Sequence, residues 1–246
     1  MNIFFKQLLP FSYYLNSRLN SFKLFAFHTY YEWVPAIIIF LLNDFGYLAS
    51  FKLFFLSYAL FICVYEIGYI FNDYLAVKYE DNPRLRNQDK SVNNLILFGW
   101  ITLRLAVFLI ISLLFFEINR IFISFYILLV ISFFLHNQLK NTDLKYLTFI
   151  NLSIFRFIAP WIFFVSREDV MLYLIPVFFF YVLFRSLTYL ESKNLLFMKT
   201  KKSKLFKIGF YILLLPINTF IFILTENNLY LISNIYYGVF WLLYRP

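Results

Sequence analysis

The chain has 246 residues, 62% hydrophobic and 14% charged, with a net charge of +9 and a single cysteine, Cys63. That is more apolar surface than a water-soluble domain of this length buries, so a soluble globular protein is excluded and the bilayer is the natural solvent. The lone cysteine excludes an internal disulfide framework and a multi-cysteine zinc site. The basic residues fall in short loops between apolar runs, where anionic lipid headgroups account for them and nucleic acid does not.

Residues 1–23 lack a basic n-region, an unbroken apolar core and a small-residue cleavage site, so no removable signal peptide is expected. Phe4, Phe5, Leu8 and Leu9 suit an interfacial segment. A helix needs about 20 apolar residues to cross the hydrocarbon core. Eight runs qualify, at about 24–43, 48–71, 93–115, 119–137, 145–165, 170–190, 206–224 and 228–244. The expected fold is all-α, a polytopic transmembrane bundle of about eight helices forming a single domain over 1–246. A cytoplasmic N-terminus collects sixteen Lys and Arg on that side and leaves Lys52, Arg120 and Arg167 on the other. The positive-inside bias then places the loops at 73–92, 138–144 and 191–205 in the cytoplasm. Arg104, Arg156 and Arg185 fall inside spans, where each costs about 2.5–3.5 kcal/mol at a helix centre, so they should face the bundle interior or a wet cavity. Structural ion pairing is the alternative.

The second span ends in YEIGYIFNDYLAVKYEDNPRLRN, with Glu66, Asp73 and Glu80 seven residues apart and near one helical face. Asn72 and Glu80 form a neighbouring row. Oxygen ligands converging at a helix end suit Mg²⁺, which binds through one or two carboxylates plus substrate phosphates. Arg84 and Arg86 would clamp phosphate oxygens that the metal leaves uncovered. A solvated, mixed-charge juxtamembrane loop is the plainer reading, and the intramembrane Glu66 favours function. Lys140 and Asp143 then fall in a cytoplasmic loop, and Arg156, deep in the fifth span, suggests an anion in a cavity. His136 reads as an interfacial histidine. The sixth span ends in LFRSLTYLESKN, bringing Arg185, Tyr189 and Glu191 to the same surface, with Lys193 a further candidate for phosphate. The lysine-rich loop that follows reads as a lipid-headgroup anchor.

This arrangement resembles the UbiA superfamily of intramembrane prenyltransferases, whose two acidic motifs sit at the cytoplasmic ends of helices two and six around a cytoplasm-facing central cavity. The first motif is matched by Asn72, Asp73, Glu80, Pro83, Arg84 and Arg86, and Ala76 stands where the family pattern has a middle carboxylate. Leu139, Lys140, Asp143 and Arg156 are similar to a pattern of the polyprenyl-phosphate phosphoribosyltransferase branch. Tyr189 and Glu191 resemble the end of its short second motif, with Leu187 and Thr188 in place of its Lys-Arg pair. Trp33 is a weaker echo. The superfamily usually has nine helices, so eight spans suggest a shortened C-terminus.

The resemblance implies ionisation of a carbon–diphosphate bond with Mg²⁺ as cofactor. Asn72, Asp73 and Glu80 would bind the metal. Glu191 would serve as a second metal contact or sugar ligand, and Arg84, Arg86, Lys140 and Arg156 would take phosphates. Arg185, Tyr189 and Lys193 complete the expected substrate set, and Glu66 would either support the metal face or pair with Arg104. Phosphoribosyl transfer from phosphoribosyl pyrophosphate to a polyprenyl phosphate needs more cations than prenyl transfer from a prenyl diphosphate, and is the favoured reading. The expected partners are those substrates and membrane lipids, and the expected location is a bacterial inner membrane. A non-catalytic lipid-binding or transport relative is the alternative of another class. It predicts indifference to loss of Asp73 or Glu191.

Overall fold

The computed structural model describes residues 7–79, 92–196 and 203–244, and every regular element among them is helical. A short helix, α1 (Ser12–Arg18), precedes α2 (Phe22–Leu42), α3 (Tyr47–Tyr74), α4 (Asn94–Phe115) and α5 (Arg120–Gln138). There follow α6 (Thr142–Ile158), α7 (Arg167–Ser192), α8 (Lys204–Thr225) and α9 (Leu229–Leu243). Among the described residues, six helices, α2 to α5, α7 and α8, are long and apolar enough to cross a membrane. The chain is thus a helical integral membrane protein, with helices whose backbone polar groups are satisfied internally.

Two of the eight expected spans are helical but short. Helix α6 has 17 residues and ends at Ile158, because Pro160 has no N–H to continue the ladder. Helix α9 has 15 residues. The starts of the long helices follow local chemistry. Asn93, Asn119, Asn141, Ser166 and Ser203 each turn a side-chain oxygen onto free N–H groups of the first turn of α4, α5, α6, α7 and α8 respectively.

The chain divides into two compact units. One contains the described residues up to 26 together with 36–164; the other contains 27–35 and those from 165 onward. In the first, α1 packs back on the helical bundle. Tyr13 is buried among Ile70, Leu97 and Trp100, and Tyr14 is also fully buried. The expected interfacial segment therefore has a tightly packed part. Helices α3 and α5 approach at Gly68, where a Cβ would lie 2.3 Å from the Phe133 ring. Only glycine allows that approach, and the Asn137 amide seals it by donating to the Gly68 carbonyl at 3.3 Å.

In the second unit, two widened π-helical turns free backbone carbonyls for side chains. Pro35 offers no N–H to the Tyr31 carbonyl, and the preceding turn, Thr29–Trp33, widens so that this carbonyl accepts from the Tyr237 hydroxyl at 3.2 Å. The second such turn, Phe178–Leu183, presents the Phe180 carbonyl to the hydroxyls of Tyr31 and Tyr211 at 3.2 and 2.9 Å. Those hydroxyls are themselves 2.7 Å apart. Nearby, Glu32 accepts from Tyr181 at 2.9 Å and lies 2.9 Å from His28. Each of these buried groups finds a partner within an apolar unit, as burial requires.

Candidate functional site

The first unit concentrates its charge at the C-terminal end of α3. Asp73 is 2% exposed, a burial that an aspartate tolerates only with partners. Its carboxylate accepts from the Tyr13 hydroxyl at 2.8 Å and from the neighbouring Asn72 amide at 3.0 Å. The Arg18 guanidinium lies 2.9 Å from it. Residues 13 and 18 reach Asp73 because α1 folds back along α3. Burial alone would lower the Arg18 pKa, but the hydrogen bond and negative charge of Asp73 outweigh it and raise the value. Burial first, then the charge of Asp73, pushes the Tyr13 phenol well up, so it remains a donor.

Arg18 also stacks over the Tyr69 ring, 4.2 Å from its centroid, one helical turn before Asp73. From the opposite direction Arg156, in the last turn of α6, approaches the Tyr69 hydroxyl at 3.4 Å and donates to the Tyr14 hydroxyl. Its guanidinium lies over the Tyr14 and Tyr65 rings at 5.2 and 5.8 Å. Two guanidinium groups and a carboxylate therefore meet on a shared frame of tyrosines. Arg18 Nε and Nη1 are buried with no hydrogen-bond partner among the described residues. Such donors carry a desolvation cost that an anion would remove.

Behind this cluster lies a second buried pair. Glu66 and Arg104 are both fully buried, and Arg104 Nε donates to Glu66 at 2.8 Å. The same carboxylate accepts the N–H of Phe11 at 3.0 Å and of Tyr14 at 2.6 Å, so it caps the start of α1. Phe11 stands at φ 77°, a left-handed conformation costly for a bulky residue, and its bond to Glu66 helps to hold it there. Arg104 spends its remaining donors on the carbonyls of Gln7, Leu8, Leu9 and Trp100 at 3.0–3.3 Å. Of the two roles expected for Glu66, the structure therefore displays the pairing with Arg104.

The expected site residues fall into four groups. Asn72, Asp73 and Arg156 join the cluster just described. Lys140 lines a groove bounded by α3, α4 and α5, with Lys145 beside it on that lining. Arg185, Tyr189, Glu191 and Lys193 belong to the second unit, all half-buried, and Arg185 lies 5.9 Å from the Phe27 ring centroid. Glu80, Arg84 and Arg86 lie outside the described residues. Among the described residues no group of three or more His, Cys, Asp or Glu is placed to hold a metal ion. His136 bonds Thr148 at 2.8 Å, tying the end of α5 to α6.

Sequence reasoning placed Arg18 only among the sixteen cytoplasmic-side cations and passed over Tyr13, Tyr14 and Tyr69. The available signal was the i, i+4 spacing of Tyr14 and Arg18, which puts a phenol and a cation on one face of a short helix. Comparison with protein-family models, curated proteins and solved structures finds no match to this chain.

Proposed function

We propose that the protein is a Mg²⁺-dependent intramembrane transferase of UbiA type that moves a phosphoribosyl group from phosphoribosyl pyrophosphate to a polyprenyl phosphate. The observation that carries this reading is the meeting of Asp73, Arg18 and Arg156 on the tyrosine frame of a membrane-spanning unit. Intramembrane charges are costly and mark functional paths. Two guanidiniums with one carboxylate are the groups that phosphate-bearing substrates and a phosphate-bound cation require. One carboxylate suffices for Mg²⁺ when substrate phosphates complete its shell, so Asp73 fits the ion provided Arg18 moves from the carboxylate to a phosphate. Mg²⁺ bound there would supply positive charge to the leaving pyrophosphate.

The chain's own share is binding and charge placement. Arg18 and Arg156 neutralise phosphate oxygens, and the Tyr14 and Tyr69 hydroxyls orient Arg156. The acceptor phosphate oxygen forms the new bond to ribose C1 as the C1–oxygen bond to pyrophosphate breaks, so pyrophosphate leaves with the bonding electrons. Lys140, on a groove of the same unit, keeps the phosphate-binding role that the resemblance implies. On this reading α3 ends on the cytoplasmic side, where a water-soluble donor arrives.

The test incubates purified protein and Mg²⁺ with a polyprenyl phosphate and labelled phosphoribosyl pyrophosphate, with a parallel arm of prenyl diphosphate and aromatic acceptors. Lipid-linked ribose phosphate is expected in the first arm, reduced on the order of 10²-fold or more by Asp73→Asn and by Arg156→Ala. Product only in the second arm would replace the donor with a prenyl diphosphate. A second reading, a lipid-binding relative without turnover, is favoured by the occupation of Asp73 by Arg18. It predicts product in neither arm.

A further inference from the structure

The Asp73 carboxylate is closed off by the chain itself. Arg18 Nη2 lies 2.9 Å from each of its oxygens, the Tyr13 hydroxyl donates to Oδ2 at 2.8 Å and the Asn72 amide to Oδ1 at 3.0 Å. Two of these three residues belong to α1, and they are held differently. Tyr13 is fully buried near the start of the helix, where Glu66 and Arg104 grip the backbone. Arg18 stands in the last turn, at the end of a long side chain, and gives Asp73 only Nη2. Its Nε and Nη1, which carry three of the five N–H donors of a guanidinium, are buried with no hydrogen-bond partner among the described residues. The contact therefore leaves Arg18 under-satisfied, since each idle buried donor carries a desolvation cost. Phosphate oxygens remove that cost, because they accept from a guanidinium as a fork.

We propose that Arg18 is a tethered cation that closes the Asp73 carboxylate to Mg²⁺ until a phosphate group draws the guanidinium away, so that metal and phosphate bind only together. The inference rests on the reading of Asp73 as a metal ligand and adds how that ligand is kept closed. Charge makes the same distinction as hydrogen bonding. Arg18, Arg156 and Asp73 leave one net positive charge on the tyrosine frame. A divalent cation arriving alone adds two more to a buried cluster, where like charges repel most strongly. The same cation arriving with a phosphate monoester of about −1.5 to −2 charges leaves the balance nearly as it was. The displaced guanidinium also has a place to go. Arg18 lies 4.2 Å from the Tyr69 ring centroid, and Arg156 is 3.4 Å from the hydroxyl of that ring, so Arg18 leaving Asp73 remains beside the second arginine. By linkage, phosphate raises the affinity for the metal by the factor that the metal raises the affinity for phosphate.

The test titrates Mn²⁺, standing in for Mg²⁺, into the full-length protein in phosphatidylcholine nanodiscs and counts free Mn²⁺ by electron paramagnetic resonance, with and without inorganic phosphate. Nanodiscs without protein give the blank. Phosphate should tighten wild-type Mn²⁺ binding on the order of tenfold or more, within the span usual for coupled sites. Without phosphate, Arg18→Gln should bind Mn²⁺ on the order of tenfold or more tighter than wild type, and adding Asp73→Asn should abolish the gain. Arg156→Gln removes the same charge from the other side of the frame and should gain far less. Equal gains in the two single variants would reduce the effect to general electrostatics and overturn the proposal. Phosphate that leaves wild-type affinity unchanged overturns it too, a result that needs no variant to fold. Turnover is read separately. Coupled binding with no product in either donor arm removes the transferase reading and leaves the gate standing, whereas product without coupling does the reverse.

Discussion

Arg104→Ala tests how the charged end of the first unit is held together. The native guanidinium makes one bond to Glu66 at 2.8 Å and four to carbonyls at 3.0–3.3 Å, three of these in the segment leading to α1. Removing it leaves a buried carboxylate without its cation, a change that costs about 3–5 kcal/mol. Glu66→Gln is milder, because an amide oxygen still accepts from Phe11 or Tyr14 and Arg104 keeps its carbonyls. Its cost is that of a charge-assisted hydrogen bond, about 1.5–3 kcal/mol. At about 2–4 °C per kcal/mol for a chain of this size, Arg104→Ala should lower Tm by roughly 6–20 °C. Cys63 supplies the assay. It is the sole cysteine and fully buried, so a fluorogenic thiol reagent reports its exposure on heating. Limited proteolysis of residues 7–18 should accelerate in parallel, since that segment loses its anchor. A Tm for Arg104→Ala equal to wild type, or a larger loss in Glu66→Gln, would refute the reasoning.

Gly68→Ala sets two effects against each other. Alanine gains about 1 kcal/mol of helix propensity, but its methyl would lie 2.3–2.5 Å from Phe133 ring atoms. That ring is packed edge-on against Tyr65 at 4.6 Å and so has little room to retreat. Overpacking of this kind costs about 1–3 kcal/mol, so the same thiol assay should show a net loss; a raised Tm would mean the helices separate freely. Tyr13 adds a pH dependence. Its pKa is raised in the folded chain, so its contribution is complete below its unfolded value of about 10 and is lost as pH climbs above that. Wild-type Tm should therefore fall more steeply than that of Tyr13→Phe above about pH 10, and parallel curves would exclude the Tyr13–Asp73 bond as a source of stability.

The class of protein was legible in the sequence because hydrophobic runs and helix length answer to one number, the thickness of the hydrocarbon core. Asn and Ser before α4 to α8, and the prolines at 35 and 160, mark local backbone events within reach of neighbouring residues. Intramembrane Arg104 and Arg156 were equally visible, since a charge in an apolar run needs a partner whatever the fold. Which partner it finds is another matter. Glu66 and Arg104 are 38 residues apart, and Arg156 meets Tyr14 across 142. No helical periodicity links such positions; Glu66 meets Arg104 because α3 packs on α4, and Arg156 meets Tyr14 because α1 folds back and lays Tyr14 between α3 and α6. The same folding back makes Arg18, in sequence one of many cytoplasmic-side cations, the partner of Asp73. The groove, too, belongs to packing alone, since its walls come from three helices and its polar end from the α5–α6 connection. Sequence by itself determined the solvent, the helices and the residues that had to find partners. Only the tertiary structure decided the pairings, because burial and contact depend on helices brought together from distant parts of the chain.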